Sequence, residues 1–270
     1  MRSIKLLGLL LGFLLALVLG FIFFNKSYNE RSIKVGISAG SSVQVLNVAK
    51  KLAKEKYDLD IKVITFADYQ IPNEALNSGD IDANIFQTRS FLKQAVLKKN
   101  YKIVEIGQTF IYPMGIYSRK INNISEIGEN ASIVIPNDSS NQGRALILLQ
   151  NAKLITLKAD VGETPTPRDI IENPKKLNIQ TVDAAQVARS VQDVTAVVLN
   201  NDFVLNAKFK PSDALFKENP DSAEPYVNII VVKESEKGKK EFKELTAVMN
   251  SAEVLKETEK LFPGAVKAWK

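Results

Sequence analysis

Strand-like and helix-like segments alternate along this chain, and the alternation limits its possible folds more than any other feature. Segment 32–37 alternates apolar and polar residues, which is typical of a strand, whereas 43–57 carries apolar residues at helical spacing. The pattern continues with predicted strands at 60–66, 81–86, 101–106 and 110–118, the last two separated at Gly107, and with predicted helices at 68–78 and 89–99. Strands separated by helices of this length indicate βαβ units, and hence an α/β sheet covered on both faces.

A second series of segments predicts a second α/β lobe. Its predicted strands are 131–136, 179–182, 195–199 and 226–233, and its predicted helices begin at Ser139 and cover 236–246 and 252–261. No Ser/Gly-rich linker separates the two series, so the chain is expected to cross between lobes within its strands. We therefore predict a discontinuous first lobe (32–113 with 225–270), a second lobe (114–224) and a ligand cleft between them.

Residues 1–31 are predicted to form a membrane segment and a short linker. Residues 6–24 are 19 consecutive residues without a charge, and Arg2 and Lys5 precede them. This run is long enough to span a bilayer, whereas a cleaved signal peptide has a shorter apolar region and an A-x-A-like exit that is missing here. The pattern favours an uncleaved anchor, with a cleaved signal as the alternative. Either one places the remaining chain outside the cytoplasmic membrane.

The chain has no histidine and no cysteine, which excludes several classes of function. Ser-His-Asp and Cys-His catalysis, His/Cys zinc sites and lipid attachment to cysteine all need one of these residues. The net charge is +6, but the cations form short clusters that mostly have acidic neighbours, without the aromatic interleaving of nucleic-acid-binding proteins. These observations favour a binding protein with no cofactor, no metal and no nucleic-acid partner.

The loop at 136–144 is the strongest local candidate for a ligand site. It joins a predicted buried strand to a helix, and the free N–H groups and positive dipole at a helix start suit an anion. Arg144 lies one turn further and could bind a carboxylate through two parallel hydrogen bonds. The alternative is an ordinary capped helix whose arginine faces water. In either case Arg144 is expected to contribute little to the core.

Two asparagines and three aromatic residues are weaker candidates. Asn200 ends an apolar strand and Asn228 lies within one, so each needs a backbone or ligand partner. The aromatic candidates are Tyr69, Phe86 and Phe91, each of which could line a ligand pocket or fill the core.

Several motifs together resemble the NlpA/MetQ family. They are FADY at 66–69, PNEAL at 72–76, GDIDANIFQ at 79–87, PND at 136–138 with Asn141, Gly143 and Arg144, ENPK at 172–175, and YVN at 226–228. Members of this family are extracytoplasmic methionine-binding proteins of the periplasmic-binding-protein type II fold. They deliver methionine to an ABC importer made of a permease and an ATPase. The resemblance therefore implies an α/β, two-lobed protein that captures L- or D-methionine, a close amino acid or a Met-containing peptide.

The resemblance also implies a role for each matching residue. Arg144 would pair with the ligand carboxylate, while Asn200 and Asn228 would bind its ammonium or carboxylate group. The thioether would occupy a slot where sulfur–aromatic contacts are favourable. The implied slot residues are Tyr69, Phe86 and Phe91, with Thr88 against the side-chain pocket and Asn141 beside Arg144 at the helix start.

Two features depart from the family pattern. Thr88 stands where relatives commonly have histidine, and the chain lacks the cysteine that ends the family's lipobox. Tethering to the cytoplasmic membrane, at its extracytoplasmic face, would then depend on residues 6–24. Two other classes of function stay open from the residues alone. One is an enzyme using Asp80 or Asp82, although a turn cap and a surface carboxylate are the more ordinary roles; the other is a membrane-tethered adaptor.

Overall fold

Two β-sheets with helices packed on them organise residues 31–269, the part of the chain that the computed structural model describes. The strands are β1 (Ser32–Ser38), β2 (Asp60–Phe66), β3 (Ala83–Asn84), β4 (Ile103–Ile111), β5 (Gly115–Tyr117), β6 (Ser132–Pro136), β7 (Thr156–Leu157), β8 (Ile170–Glu172), β9 (Asn178–Val182), β10 (Ala196–Leu199), β11 (Phe216–Lys217), β12 (Val227–Lys233) and β13 (Val266–Lys267). The α-helices are α1 (Ser42–Tyr57), α2 (Pro72–Ser78), α3 (Arg89–Lys99), α4 (Ser139–Asn151), α5 (Ala184–Val187), α6 (Asn201–Val204), α7 (Lys240–Met249) and α8 (Ala252–Leu261).

Each sheet is the centre of one lobe of a mixed α/β fold. The larger sheet has the strand order β13-β4-β12-β3-β1-β2, and the smaller has the order β11-β5-β10-β6-β9. In the larger sheet β1 is parallel to β2 and β3, while β12 runs antiparallel to β3 and β4. The chain leaves the larger sheet after β4 and returns to it at β12. The predicted lobe boundaries at 113/114 and 224/225 lie within these two crossings and stay a prediction.

The local periodicity predicted the longer elements better than the short ones. Strand β2 and helices α3 and α8 have the bounds that the sequence predicts. The predicted helix 68–78 begins instead at Pro72, because the Asp68 carboxylate accepts hydrogen bonds from the backbone N–H groups of Gln70 and Ile71 and holds them in a turn. The predicted strand 81–86 is reduced to two residues in β3.

Gly107 does not interrupt a strand, which corrects the prediction for 101–118. Strand β4 runs through it, and only the three residues of β5 follow in the other sheet. A β-carbon at Gly107 would lie 2.8 Å from Cγ2 of Thr246 on α7. The glycine therefore marks the close approach of a helix to the sheet.

Separate hydrophobic clusters support the two lobes. Val35, Phe110 and Phe242 are fully buried beneath the larger sheet, and Ile133 and Val198 are fully buried in the smaller one. The predicted membrane segment 6–24 lies outside the described residues. Within 31–269, no helix has the length and apolar character needed to cross a bilayer.

Candidate functional site

A small cavity between the lobes brings together six of the eight predicted ligand residues. Its lining residues are Tyr69, Phe86, Thr88, Phe91, Asn141 and Asn200, together with Gln87. Tyr69 precedes α2, residues 86–88 precede α3, and Phe91 lies in the first turn of α3, all in one lobe. Asn141 and Asn200 come from the start of α4 and the end of β10 in the other lobe. The walls are therefore contributed by both lobes, as in other ligand sites at domain interfaces.

Aromatic rings form one side of this cavity. The ring centroids of Tyr69 and Phe86, and those of Phe86 and Phe91, are 5.7 Å apart, and Tyr69 and Phe91 are separated by 6.0 Å. Tyr69 also packs against Phe203 of the other lobe at 5.1 Å. These distances are typical of favourable aromatic pairs. The cluster forms the apolar side of a cavity of about 20 Å³, which is room for one water molecule, so a thioether side chain would enter only after the rings or the lobes separate.

Amide side chains form the opposite side. Helix α4 begins at Ser139, as the sequence predicts, and Asp138 is its N-cap, because the Asp138 carboxylate accepts a hydrogen bond from the Asn141 backbone N–H at 2.9 Å. Asn141 Nδ2 also donates to this carboxylate, and Asn200 Nδ2 donates to Asn141 Oδ1 at 2.7 Å. Burial raises the pKa of Asp138, while the hydrogen bonds from Asn141 lower it.

Asn200 retains an acceptor that the protein does not satisfy. Its Oδ1 atom is buried and has no hydrogen-bond partner among residues 31–269. An unpaired buried acceptor costs free energy, so such atoms usually have a reason to be there. A ligand N–H group in the cavity would supply the missing donor.

Thr88 and Asn228 are brought side by side, although they come from different elements. Thr88 is the N-cap of α3, where its Oγ1 accepts from the Phe91 backbone N–H at 3.2 Å, and it forms an antiparallel bridge with Asn228. Asn228 lines an adjoining cavity whose wall includes Phe86, which borders both cavities. Threonine is a good N-cap, so Thr88 has a structural role as well as a place in the cavity wall.

Arg144 has protein partners that the sequence did not predict. Its Nε and Nη2 atoms donate to the two carboxylate oxygens of Glu218 at 2.9 and 2.5 Å, and Nη2 also donates to the Tyr112 carbonyl at 2.9 Å. The guanidinium lies 4.5 Å from the ring centroid of Tyr226. Arg144 is 3% exposed and does not line either cavity, so the expectation that it adds little to the core is wrong.

All of these partners of Arg144 lie in residues 112–114 and 218–226, the two crossings between lobes, which we call the hinge. Glu218 Oε2 also accepts from the backbone N–H of Met114, 3.3 Å away, which joins one crossing to the other. Arg144 is one helical turn beyond Asn141. The ion pair therefore connects the helix that borders the cavity to the hinge.

A buried cluster of three amide side chains supports the cavity. The sequence analysis did not predict it. Asn73 Oδ1 accepts from Asn84 Nδ2 and Gln87 Nε2 at 3.0 and 2.6 Å, and Asn73 Nδ2 donates to Gln87 Oε1 at 2.8 Å. Gln87 Nε2 also donates to Asn84 Oδ1 at 2.9 Å. The cluster holds the segment from Phe86 to Thr88 against α2. All three residues lie in the motifs at 72–76 and 79–87 that carry the family resemblance. The presence of three amide residues in these two motifs was the sequence feature that could have predicted the cluster.

The carboxylates of the enzyme alternative have ordinary structural roles. Asp82 accepts a hydrogen bond from the Lys34 backbone N–H at 2.7 Å, and Asp80 accepts one from the Ser78 hydroxyl at 2.7 Å. Neither lines the two cavities. Asp80 accepts from a residue two positions away, in keeping with the more ordinary interpretation, whereas Asp82 accepts from a residue 48 positions away on β1.

Two α/β lobes, joined by a double crossing and enclosing an aromatic and amide cavity, define a substrate-binding protein of the periplasmic type. Residues 33–269 match the profile of the NlpA lipoprotein family, and the chain belongs to that family. The predicted family and two-lobed fold are thereby confirmed. The family consists of substrate-binding proteins, so this chain is not an enzyme.

Characterised relatives resemble the chain over most of its length. The D-methionine-binding lipoprotein MetQ of Salmonella typhimurium is 44% identical, with 88% of each chain covered. A crystal structure of the methionine-binding protein MetQ is 43% identical and has a TM-score of 0.86, covering 88% of this chain and 98% of that one. A nutrient-binding protein from Burkholderia cenocepacia, bound to methionine, is also 43% identical, with a TM-score of 0.84 and coverage of 88% and 100%.

Proposed function

We propose that this chain is the extracytoplasmic binding component of an ABC importer and that it captures methionine, as the L or D enantiomer, a close amino acid or a Met-containing peptide. The observation that carries the proposal is the cavity between the lobes, which is lined both by the aromatic rings and by Asn200, whose buried Oδ1 is unsatisfied. An apolar wall and a free acceptor in one cavity match an amino acid with an apolar side chain. The names of its relatives narrow that class to methionine.

Each candidate residue has a role in this proposal. The rings of Tyr69, Phe86 and Phe91 surround the thioether, where sulfur–aromatic contacts are favourable. Asn200 and Asn228 bind the polar end of the ligand, and Asn141 orients Asn200. Thr88 closes the side-chain end, where its small size leaves more room than a histidine would.

Arg144 lines neither cavity in this structure, and we propose that it reaches the ligand carboxylate through its third nitrogen when the lobes move to admit the ligand. Nε and Nη2 are occupied by Glu218 and Tyr112, whereas Nη1 has no hydrogen-bond partner within the described part of the chain. A single charged hydrogen bond from Nη1 would bind the carboxylate and leave the ion pair intact. Because the same guanidinium also contacts the hinge, the hydrogen bond from Nη1 to the ligand would couple ligand binding to the arrangement of the lobes.

Methionine should raise the thermal unfolding midpoint of the protein. A ligand that binds only the folded state stabilises it by about 2.7 kcal/mol at 100 times its dissociation constant. For domains of this size that gain corresponds to a shift of about 5–10 °C. The full chain in mild detergent, washed on a resin to remove bound solute, would be scanned against both methionine enantiomers, other amino acids and Met-containing dipeptides.

Sugars, nucleotides and divalent cations are the controls for this scan and should not change the midpoint. A shift with one of these classes, and with no amino acid or peptide, would refute methionine capture. If no solute of any class shifts the midpoint, the adaptor alternative is favoured.

We further propose that residues 6–24 tether the protein to the cytoplasmic membrane. The relatives are named lipoproteins, but these 270 residues contain no cysteine that could carry a lipid. The protein should therefore sediment with membranes and resist extraction by high salt, because a buried apolar helix binds far more strongly than surface adsorption does. Mass spectrometry of the mature protein should detect the peptide that contains Arg2. A mature chain that begins near Phe21 or Asn25 would contradict the anchor.

A further inference from the structure

Asp202 extends from one lobe to the other. It lies in the first turn of α6, two residues after Asn200. Its Oδ1 accepts a hydrogen bond from the Ser42 hydroxyl at 2.8 Å, and its Oδ2 accepts one from the Tyr69 hydroxyl at 2.9 Å. Ser42 begins α1 and Tyr69 precedes α2, both in the lobe of the larger sheet. These two bonds therefore join the lobes at the edge of the ligand cavity.

The negative charge of Asp202 has no positive partner in residues 31–269. No ion pair within this range includes it, and both of its hydrogen-bond donors are neutral hydroxyl groups. The pKa of Asp202 is raised overall, because burial raises it by more than the hydroxyl groups of Ser42, Tyr69 and Ser38 lower it, and a cation beside the carboxylate would favour its ionised form. An ionised carboxylate can accept about four hydrogen bonds, and desolvating it without a cation is costly. The Asp202 carboxylate can therefore accept further hydrogen bonds, and a positive charge beside it would offset the free-energy cost of its burial.

The carboxylate is placed where a ligand could supply that charge. Asp202 lines the cavity that also contains Asn228, and Phe86 separates this cavity from the one bordered by Asn200. The titratable groups that face it are Tyr69 and Tyr112, whose own pKa values are raised by burial. Both hydroxyls therefore stay neutral at physiological pH and provide no counter-charge.

We propose that Asp202 is the counter-charge for the ammonium group of the amino-acid ligand. This inference rests on the proposed function and adds a charged partner to the amides already described. Arg144 is neutralised by Glu218, and the buried carboxylates of Asp138 and Asp202 have no cationic partner among residues 31–269; of these two, only Asp202 lines either cavity. The site therefore selects ligands with a free amine over otherwise identical carboxylic acids.

The test compares methionine with 4-(methylthio)butanoate, which has the same skeleton but no ammonium group. Dissociation constants for both would be measured by calorimetry on the full chain in mild detergent. The wild type should prefer methionine, and Asp202→Asn should lose about tenfold to hundredfold in methionine affinity while its affinity for the butanoate changes little. Asparagine keeps one interlobe hydrogen bond through its Oδ1 and can replace the other by donating from Nδ2 to the oxygen of the hydroxyl group, so this variant removes mainly the charge.

Ser42→Ala is the matched control for the interlobe contact. It removes one hydrogen bond across the cleft but leaves the carboxylate, so it should change both affinities by a similar factor and preserve their ratio. If Ser42→Ala lowers the ratio of methionine affinity to butanoate affinity as far as Asp202→Asn does, the effect comes from the contact between the lobes and the proposal is overturned. An unchanged ratio in Asp202→Asn would overturn it as well.

Two further outcomes separate this inference from the proposed function. If the wild type binds methionine but does not discriminate against the butanoate, only the role of Asp202 fails. If the wild type binds no amine at all, the proposed function fails and the inference fails with it. Should Asp202→Asn not fold, Asp202→Ser removes the charge in a smaller side chain and is judged by the same affinity ratio.

Discussion

Replacing Arg144 with alanine should lower the free energy of unfolding by about 3–5 kcal/mol, because the change leaves the Glu218 carboxylate buried without its partner. Glu218 has a side chain that is only 9% exposed, and it receives two hydrogen bonds from Arg144. The substitution also removes the bond to the Tyr112 carbonyl and the contact with the ring of Tyr226. Denaturant unfolding at neutral pH would measure the loss.

The same variant should bind methionine more weakly. Removing a buried charged donor from a ligand carboxylate costs about 2–5 kcal/mol, or tens- to thousands-fold in affinity. Calorimetry at a temperature where the variant is fully folded would separate this loss from instability.

A double variant provides the control for the stability effect. Removing both charges, as in Arg144→Met with Glu218→Leu, should recover much of the lost stability, because buried ion pairs can often be replaced by apolar groups of similar volume. It should not recover methionine affinity. A single Arg144→Ala variant as stable as the wild type would show that the ion pair does not stabilise the hinge.

Replacing Asn73 with alanine should lower the free energy of unfolding by about 2–4 kcal/mol, because Asn84 and Gln87 lose buried hydrogen-bond partners. Asn73 is 2% exposed and takes part in three of the side-chain hydrogen bonds of the amide cluster. Thermal and denaturant unfolding would both measure the effect. Methionine affinity should also fall, since the cluster holds the segment from Phe86 to Thr88.

Asn122 offers a matched control on the surface. Its side chain is exposed, so Asn122→Ala should change stability by less than about 0.5 kcal/mol and leave methionine affinity unaltered. If Asn73→Ala behaves like this control, the amide cluster neither stabilises the fold nor positions the cavity wall.

Local sequence pattern was sufficient for the longer elements and for most of the cavity. Helix α3 and strand β2 have the predicted bounds because their apolar residues repeat at the spacing of a helix and a strand. Ligand residues in an α/β protein lie near the ends of strands and the starts of helices, where the sequence analysis placed Phe86, Asn141 and Asn200.

Elements and roles that depend on distant partners required the tertiary structure. The two-residue strand β13 exists only because β4 pairs with it, so periodicity cannot reveal it, and pairing limits the predicted strand 81–86 to the two residues of β3. The sequence analysis interpreted Gly107 as a break between two strands. Only the close approach of α7 to the sheet explains why a glycine lies within β4.

The sequence by itself determined the class of this protein and the residue types of its site, since these depend on spacing and short motifs within one segment. It could not determine the partners of the charged groups. Glu218 is 74 residues from Arg144, and Asp202 is 160 residues from Ser42. The first contact forms only when distant segments of one lobe fold together, and the second forms only when the two lobes pack together; no local periodicity specifies either arrangement. Tertiary structure alone therefore decided that Arg144 joins the hinge and that Asp202 borders the cavity without a counter-charge.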